Sequence, residues 1–345
     1  MSPLRAARAT ASQPGVAPVA IALGAPRADG LARGMLSVVP SLPSRDAPGA
    51  SSPDGEARGP SRLPDRFRIA HLSDVHLLER DVARRGTFQR LRMRFVSMGR
   101  ELDEAERARN LTRALEAAKS AGARHVVISG DLTELGTPAQ FERVAELLHG
   151  SSFAPHEITL VPGNHDVYDT HDGWSRALEG PLAAFASGSA GGRGAHVGGS
   201  CTVVERDDVC FLPLDVTRHQ AITRSSGELS AQLAAALEAR LGDPGVARKP
   251  IVVVAHHPPQ ALSNKLVQWL DGLQGGARLM SMLSRFPNVH VLHGHLHRVV
   301  DRLFGPTRSS IFGAPAVVEA SASVPGPVRL YDVVSGALLA AGLVG

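Results

Sequence analysis

Three histidines stand within five residues near the carboxyl end of the chain, in the segment V-H-V-L-H-G-H-L-H at residues 289–297. The alternating apolar residues before His293 predict a strand, and Gly294 allows the backbone to turn directly after it. His295 and His297 follow the turn, and imidazole is the commonest metal ligand of proteins at neutral pH. The segment alone is also compatible with a polar, histidine-rich loop, so its assignment depends on the rest of the chain.

Four earlier segments repeat this arrangement, in which a short apolar strand is followed by side chains that can bind metal ions. Helical patterns separate most of these strands, as at residues 103–121, after Thr137-Pro138 and from about Gly227 to Leu241, so the sequence predicts an α/β domain. Short apolar runs broken by Gly and Pro at residues 299–345 predict antiparallel strands at a sheet edge. Ligands of open α/β sheets bind at the carboxyl ends of the strands. The side chains at the five predicted strand ends are Asp74 and His76, Asp131, Asn164 and His165, His256 and His257, and His295 and His297.

Carboxylate, amide and imidazole groups in this number suit two hard or borderline divalent ions, such as Mn, Fe, Zn or Co. Two ions about 3.5–4 Å apart can clamp a phosphate group while one of them activates a water molecule for in-line attack. The five strand ends together therefore predict a dinuclear metal centre that hydrolyses phosphate esters.

The segments S-D-V-H, G-D, G-N-H-D, A-H-H-P and H-G-H-L-H occur in this order within residues 66–298, and the set resembles the calcineurin-like metallophosphoesterase family. The resemblance implies a four-layer α/β/β/α sandwich with a di-metal centre. It implies that His165 lies just outside the ions, where it binds the phosphate or protonates the leaving group. The implied ligands are Asp74, His76, Asp131 and His297 for the first ion, and Asp131, Asn164, His256 and His295 for the second, with Asp131 bridging.

One ligand position is ambiguous, because His256 and His257 cannot both be the ligand at that strand end. The position two residues before the proline resembles the family's ligand, which favours His256. His293 is expected to support the ligands rather than bind an ion.

Departures from other branches narrow the resemblance. Glu134 stands where purple acid phosphatases have tyrosine, so an iron(III)-tyrosinate site is not expected. The run L-T-E-L-G after Asp131, and Asp166 after His165, differ from the Ser/Thr protein phosphatases, and one branch of lipid-A-pathway hydrolases has arginine in place of His165. The remaining resemblance is to the bacterial class III cyclic-nucleotide phosphodiesterase group.

We therefore expect a phosphodiesterase whose substrate is a cyclic nucleotide or a related small phosphodiester. The alternative within enzymes is a hydrolase of a lipid-linked phosphate or pyrophosphate at the membrane surface. A metal-free interaction scaffold is the remote alternative, and it is disfavoured because every ligand position of the motif set is filled.

The distribution of charge argues against a nucleic-acid partner. The net charge is +4, but residues 1–62 contain 7 Arg and only 4 acidic residues, which leaves 30 of the 37 Lys and Arg against 29 of the 33 Asp and Glu for the rest. The later part is near neutral, whereas proteins that bind nucleic acids need a basic surface. The oligomeric state is left open by the sequence.

The chain divides into residues 1–63, an Ala/Pro/Gly/Arg-rich segment that we expect to be disordered, and a metallophosphoesterase domain at residues 64–345. No apolar run approaches the length of a membrane span. The apolar run at residues 15–25 begins late for a signal peptide and contains Pro18, so we expect a cytoplasmic protein. Cys201 and Cys210 are then expected to be two buried thiols rather than a disulfide.

The segment at residues 84–100 contains six arginines and no acidic residue. On a helix, Phe88, Leu91, Phe95 and Met98 would form one apolar stripe. Two interpretations are open: the stripe packs on the domain core, or the segment is a basic amphipathic helix that contacts an anionic membrane. In both cases the segment directly follows the first predicted ligands and is expected to form a rim of the substrate site, with peripheral contact at the inner membrane surface in the second case.

Overall fold

The structure is a computed structural model that describes residues 66–191, 201–306, 309–320 and 328–345. The predicted tail at residues 1–63 lies outside the described residues, so its disorder and the domain boundary at residue 64 stay predictions. No helix in the described ranges is long and apolar enough to cross a membrane.

Most of the strands belong to two sheets. One sheet has the order β13-β12-β1-β2-β3, the other has the order β10-β11-β9-β7-β5-β4, and β6 and β8 form a small separate pair. The strands are β1 (Phe67–Leu72), β2 (His125–Ser129), β3 (Ile158–Val161), β4 (Val204–Glu205), β5 (Cys210–Pro213), β6 (Gly227–Glu228), β7 (Ile251–Val254), β8 (Leu273–Gln274), β9 (Val289–His293), β10 (Val300–Phe304), β11 (Ser309–Gly313), β12 (Val328–Val334) and β13 (Ala337–Val344).

The direction of the strands determines where their following side chains lie. β1, β2 and β3 run parallel in the first sheet, and β5, β7 and β9 run parallel in the second. Carboxyl ends of parallel strands share one edge of a sheet, so each sheet presents several predicted ligands together. The predicted antiparallel strands of the C-terminal part are present as β10–β11 and as β1–β12–β13, although β11 pairs with β9 in parallel.

Helices begin and end largely where the capping residues predict. The Asp103 side chain accepts a hydrogen bond from the Glu106 amide at 2.8 Å and begins α2, and Pro138 occupies the first turn of α3 after Thr137. The helices are α1 (Thr87–Val96), α2 (Glu104–Ser120), α3 (Pro138–His149), α4 (Gly173–Glu179), α5 (Ala231–Leu241), α6 (Lys265–Asp271) and α7 (Gly276–Leu283), with short 3-10 helices between some of them.

The predicted start of α5 near Gly227 is wrong. Gly227 and Glu228 form the short strand β6, which pairs with β8. The helix begins only after Ser230, whose hydroxyl accepts a hydrogen bond from the Leu233 amide at 3.1 Å. A serine cap of this kind satisfies an amide that the first helical turn leaves free.

The four predicted layers are separated by three apolar cores. Apolar side chains of α2, α3 and α4 pack on one face of the first sheet. Those of α5 and α7 pack on one face of the second sheet. Between the sheets lies a third core with contributions from both, which includes Ile69, Val127, Phe211, Val252 and Leu292. The order of layers is therefore α/β/β/α, as the resemblance implies.

Both cysteines are buried as free thiols, as the sequence predicts. Cys210 lies in β5, whereas Cys201 precedes the short strand β4. Burial raises the pKa of the Cys201 thiol to about 12, so this thiol is not a reactive nucleophile at neutral pH.

The predicted cytoplasmic location stays a prediction.

Of the two interpretations of residues 84–100, packing of the apolar stripe on the core is wrong. Met93 and Val96 are the buried side chains of α1, and they pack with Leu78, Val82, Leu135 and Tyr168. The stripe of Phe88, Leu91, Phe95 and Met98 is exposed. The helix has apolar residues on two sides, and the smaller set faces the domain.

Candidate metal centre

The side chains predicted at the five strand ends meet in the structure. Five of the predicted ligands also have left-handed backbone conformations, with positive φ at Asp74 (54°), His76 (50°), Asp131 (49°), His295 (66°) and His297 (51°). Such conformations are uncommon for residues other than glycine and cost of order 1–3 kcal/mol each. Their concentration at the strand ends is a feature typical of a functional site.

The first predicted ligand set contains a close group of three side chains. Ligand atoms of Asp74, His76 and His297 all lie within 4.8 Å of one another. His297 Nε2 lies 3.2 Å from Asp74 Oδ1, and His76 Nε2 lies 3.7 Å from Oδ2 of Asp131, the predicted bridging residue. These distances leave room for an ion between the groups.

The second set forms a similar group beside the first. Ligand atoms of Asp131, His256 and His295 lie within 4.8 Å of one another, and His256 Nε2 is 3.2 Å from Asp131 Oδ2. The Asn164 amide donates from Nδ2 to the Tyr168 hydroxyl at 2.9 Å, which leaves its oxygen for an ion. Asp131 Oδ2 faces a histidine of each group, because it also lies 3.7 Å from His76 Nε2 of the first.

The donor atoms fit two divalent ions. Buried atoms without a hydrogen-bond partner among the described residues include Asp74 Oδ1, both ring nitrogens of His76, Asn164 Oδ1 and His256 Nε2. A buried polar atom left without a partner costs about 1–3 kcal/mol, and two cations would satisfy all of these atoms except His76 Nδ1, which lies 3.7 Å from Glu134 Oε2. Oxygen and imidazole donors in this mixture suit Mn, Fe, Zn or Co, and they do not single out one metal.

Three of the histidines use one ring nitrogen for a contact with the protein, which leaves the other nitrogen for the metal centre. His256 donates from Nδ1 to the Ser129 carbonyl at 2.7 Å, and His297 contacts Glu319 Oε1 through Nδ1 at 2.6 Å. Partners of this kind fix the orientation of metal-binding histidines and increase the basicity of the free nitrogen. His295 Nε2 contacts the Asp271 carboxylate at 3.0 Å, which leaves its other nitrogen for an ion.

The geometry favours His256 over His257 as the ligand. His257 donates from Nε2 to the Ser225 carbonyl at 2.6 Å. Its Nδ1 faces Gly227, where an added Cβ would lie only 2.6 Å from that nitrogen. His257 thus supports the wall beside His295, with ring centroids 4.5 Å apart. His293 is buried, and its Nδ1 contacts the Gly294 carbonyl at 2.9 Å.

The electrostatics of the centre favour positive charge. Burial alone would raise the pKa of Asp131, but the nearby imidazoles of His256 and His165 hold it well below its ordinary value. Burial likewise opposes the charged form of His297, but its contacts with Asp74 and Glu319 raise its pKa to about 10. Burial also opposes ionisation of Asp74, but contact with His297 lowers its pKa to about 2. The buried carboxylates of Asp131 and Asp74 therefore stay ionised, which favours binding of cations.

His165, the predicted catalytic side chain, is more exposed than the histidine beside it. Its Nδ1 donates to the Glu134 carbonyl at 2.9 Å, and its Nε2 lies 3.9 Å from Asp131 Oδ2. The side chain is 11% exposed, whereas that of His76 beside it is 1% exposed. His165 is therefore more accessible from solvent than His76.

Sequence reasoning missed the role of Glu134 and Arg107. The Glu134 carboxylate is buried, pairs with the Arg107 guanidinium and lies 3.7 Å from His76 Nδ1. Arg107 also donates to the His76 carbonyl at 2.6 Å. The acidic residue inside the apolar run L-T-E-L was the available signal, but nothing local to the sequence indicates its arginine partner on α2.

Asp166 is a second missed residue, and it holds the turn that carries Asn164 and His165. Its carboxylate accepts hydrogen bonds from the amides of Leu132 (3.1 Å), Thr133 (2.9 Å) and Gly163 (2.9 Å). Burial, followed by the charge of Asp131, raises the pKa of Asp166 to about 6. Gly163 is required at this turn, because an added Cβ would lie 2.1 Å from Asp131 Oδ1.

Comparison with known proteins agrees with this architecture. The model of the calcineurin-like phosphoesterase family matches residues 67–299, and the chain belongs to this family. It is accordingly a phosphoesterase with clusters of His and Asp that could bind metal ions. No curated protein matches the chain in a sequence search.

Similar solved structures include a dimetal phosphatase from Danio rerio, which is 14% identical with a TM-score of 0.57 and is matched over 81% of this chain and 96% of the other. This likeness shows the fold. Looser matches are the NAD nucleotidase of Haemophilus influenzae (12% identity, TM-score 0.47, 81% of this chain and 56% of the other) and the phosphopantetheinyl hydrolase of Mycobacterium tuberculosis (12% identity, TM-score 0.42, 74% and 92%).

Proposed function

We propose that this phosphoesterase is a dinuclear-metal phosphodiesterase whose substrate is a cyclic nucleotide or a related small phosphodiester. The observation that supports the dinuclear site is the position of Asp131 Oδ2, 3.2 Å from His256 Nε2 and 3.7 Å from His76 Nε2. The diester preference is supported by the motif resemblance to the class III phosphodiesterase group, with His165 rather than arginine after Asn164.

The proposed ligands of one ion are Asp74, His76, Asp131 and His297, and those of the other are Asp131, Asn164, His256 and His295. When bound, two divalent ions would neutralise the charge of the phosphate group and make water nucleophilic at neutral pH. Asp131 would contribute its carboxylate to both positions.

The chain's own contribution to bond breaking is assigned to His165. Its Nδ1 is occupied by the Glu134 carbonyl, so Nε2 is the nitrogen that can exchange a proton with substrate. We propose that Nε2 contacts a phosphate oxygen or protonates the leaving oxygen, which then departs as an alcohol. Glu134 and Arg107 position His165 and His76 and do not touch the substrate.

An activity panel on the full chain tests this function. The substrates are bis(p-nitrophenyl) phosphate, p-nitrophenyl phosphate and cyclic nucleotides, each measured with added Mn, Fe, Zn or Co and with a chelator. We expect metal-dependent hydrolysis with a larger kcat/KM for the diesters. A clear preference for the monoester would contradict the proposed diester specificity.

A second candidate is hydrolysis of a lipid-linked phosphate or pyrophosphate. The observation that favours it is the exposed apolar stripe on α1, a helix whose buried face packs against Tyr168 beside the centre. Long-chain lipid phosphates and pyrophosphates in mixed micelles extend the same panel. Higher kcat/KM for these lipids than for soluble diesters would establish the second candidate over the first.

A further inference from the structure

The outer face of α1, together with Met98 two residues after its end, exposes four large apolar side chains. The exposed fractions are 80% for Phe88, 64% for Leu91, 60% for Phe95 and 87% for Met98. Phe88, Leu91 and Phe95 follow one another at helical spacings of three and four residues, so they share one face. Four large apolar side chains in one stretch differ from the scattered single residues that soluble surfaces normally show.

Basic groups flank this apolar face. Arg90 and Arg94 lie on α1, are exposed and form no ion pair with a carboxylate in the described part of the chain. Arg94 lines a cavity with Asp81, Glu101, Asp103 and Glu104. Three of these carboxylates have other partners: Asp81 lies 3.5 Å from Arg84, Glu104 accepts from the Val82 amide at 2.8 Å, and Asp103 accepts from the Glu106 amide at 2.8 Å. The face is therefore apolar at its centre and positively charged along its side.

The same helix is tied to the metal centre by its inner face. Arg92 donates from Nη2 to the Tyr168 carbonyl at 3.3 Å, and the Tyr168 hydroxyl accepts from Asn164, a proposed ligand, at 2.9 Å. The Tyr168 ring also lies 4.9 Å from the His165 ring. A surface that binds to α1 would thus be held near Asn164 and His165.

We infer that α1 docks the protein on an anionic phospholipid bilayer, with Phe88, Leu91, Phe95 and Met98 in the boundary between headgroups and acyl chains, and with Arg90 and Arg94 at the headgroup phosphates. Amphipathic helices bind membranes through this combination of apolar and basic groups. A second copy of the chain fits less well, because pairing two α1 faces would bring their unpaired arginines together. Docking is independent of which phosphoester is hydrolysed.

Vesicle flotation of the full chain tests this inference. Vesicles of phosphatidylcholine with phosphatidylglycerol are compared with vesicles of phosphatidylcholine alone. The salt concentration is about 0.1 M, at which charges are screened over a Debye length of about 10 Å. We expect the wild type to float with the anionic vesicles. Two double variants should each lower the bound-to-free ratio by more than about tenfold. Leu91→Gln/Phe95→Gln removes two apolar side chains that would insert into the bilayer, and Arg90→Glu/Arg94→Glu removes two cations that would attract the anionic headgroups.

Matched controls separate α1 from general surface effects. Leu339→Gln/Leu343→Gln removes two leucines of β13 with similar exposure, 54% and 53%. Arg240→Glu/Arg248→Glu makes the same change of charge at two exposed arginines in and after α5. Both controls should float like the wild type, and thermal unfolding of every variant verifies that it is folded.

Three results would overturn docking through α1. The first is a wild type that does not bind the anionic vesicles. The second is equal binding of the α1 variants and the wild type, which would assign vesicle binding to another part of the chain, such as the arginines of residues 1–62. The third is a dimer in sedimentation without vesicles that Leu91→Gln/Phe95→Gln dissociates, which would assign the face to a second copy. Hydrolysis of soluble substrates is measured separately, so failure of docking leaves the proposed function untouched.

Discussion

The His256 imidazole links the two sheets at the metal centre. Its Nδ1 donates to the carbonyl of Ser129 at 2.7 Å, at the end of β2, while its Nε2 lies 3.2 Å from Asp131 Oδ2. His256 follows β7 in the second sheet, and Ser129 and Asp131 belong to the first. The proposed second ion therefore depends on correct packing of the two sheets.

The neighbouring pair of histidines provides a matched test of this link. His256→Ala should lower the metal content of the purified protein, because it removes a proposed ligand. His257→Ala removes an equally buried imidazole that faces Ser225 and Gly227, so the metal content should be retained. Elemental analysis of both variants decides between them, and the reverse outcome would show that His257 is the ligand.

His165→Ala should lower kcat by roughly 10²–10⁴, the usual contribution of a general acid, and leave the metal content intact. The decrease should be smaller for p-nitrophenyl esters than for alkyl esters, because a good leaving group needs less protonation. Steady-state kinetics on both kinds of substrate measure this difference. Loss of bound metal in the variant would instead make His165 a ligand.

Arg107→Leu should destabilise the fold by about 3–5 kcal/mol, because it leaves the Glu134 carboxylate buried without its partner. The control lies on the same helix: Arg109→Leu removes an exposed arginine whose Nη2 is 2.6 Å from Glu106, and it should change stability little. Urea unfolding followed by circular dichroism compares the two. Similar stabilities for both variants would show that the buried pair does not contribute as argued.

The contrast between these residues shows how far the sequence predicts the site. The strand ends were predictable because each combines a local apolar run with polar side chains directly after it, and the caps of α2 and α3 are equally local. The ion pair between Arg107 and Glu134 could not be predicted from the sequence, because it depends on α2 lying over the loop after β2. Periodicity also could not decide which side of α1 faces the domain, since Met93 and Val96 lie opposite Phe88 and Leu91.

Stability should fall as the pH falls below about 6.5, in part because of His290. This side chain is buried in β9, and burial lowers its pKa to about 4. Between these pH values the unfolded chain binds a proton that the folded chain does not, so protonation favours unfolding. His290→Gln should reduce the slope of unfolding free energy against pH in this window by up to about 1.4 kcal/mol per pH unit.

In the wild type, His290 Nδ1 accepts a hydrogen bond from the Ser310 backbone amide at 3.3 Å. Gln is chosen as the replacement because its side-chain oxygen is also a hydrogen-bond acceptor. Urea titrations of wild type and variant at several pH values between 4 and 6.5 measure the two slopes. Parallel slopes would mean that His290 titrates alike in the folded and unfolded chains.

The most direct test of the dinuclear centre is the metal content and turnover of Asp131→Asn beside those of the wild type. The substitution keeps the shape of the side chain but removes the charge that allows two cations to lie close together. Asp243→Asn is the control, because the Asp243 side chain belongs to neither proposed ligand set and accepts from the Gly245 amide at 2.8 Å. We predict two ions per wild-type and Asp243→Asn chain, and reduced occupancy without turnover for Asp131→Asn. Two bound ions and near-wild-type turnover in Asp131→Asn would contradict the account.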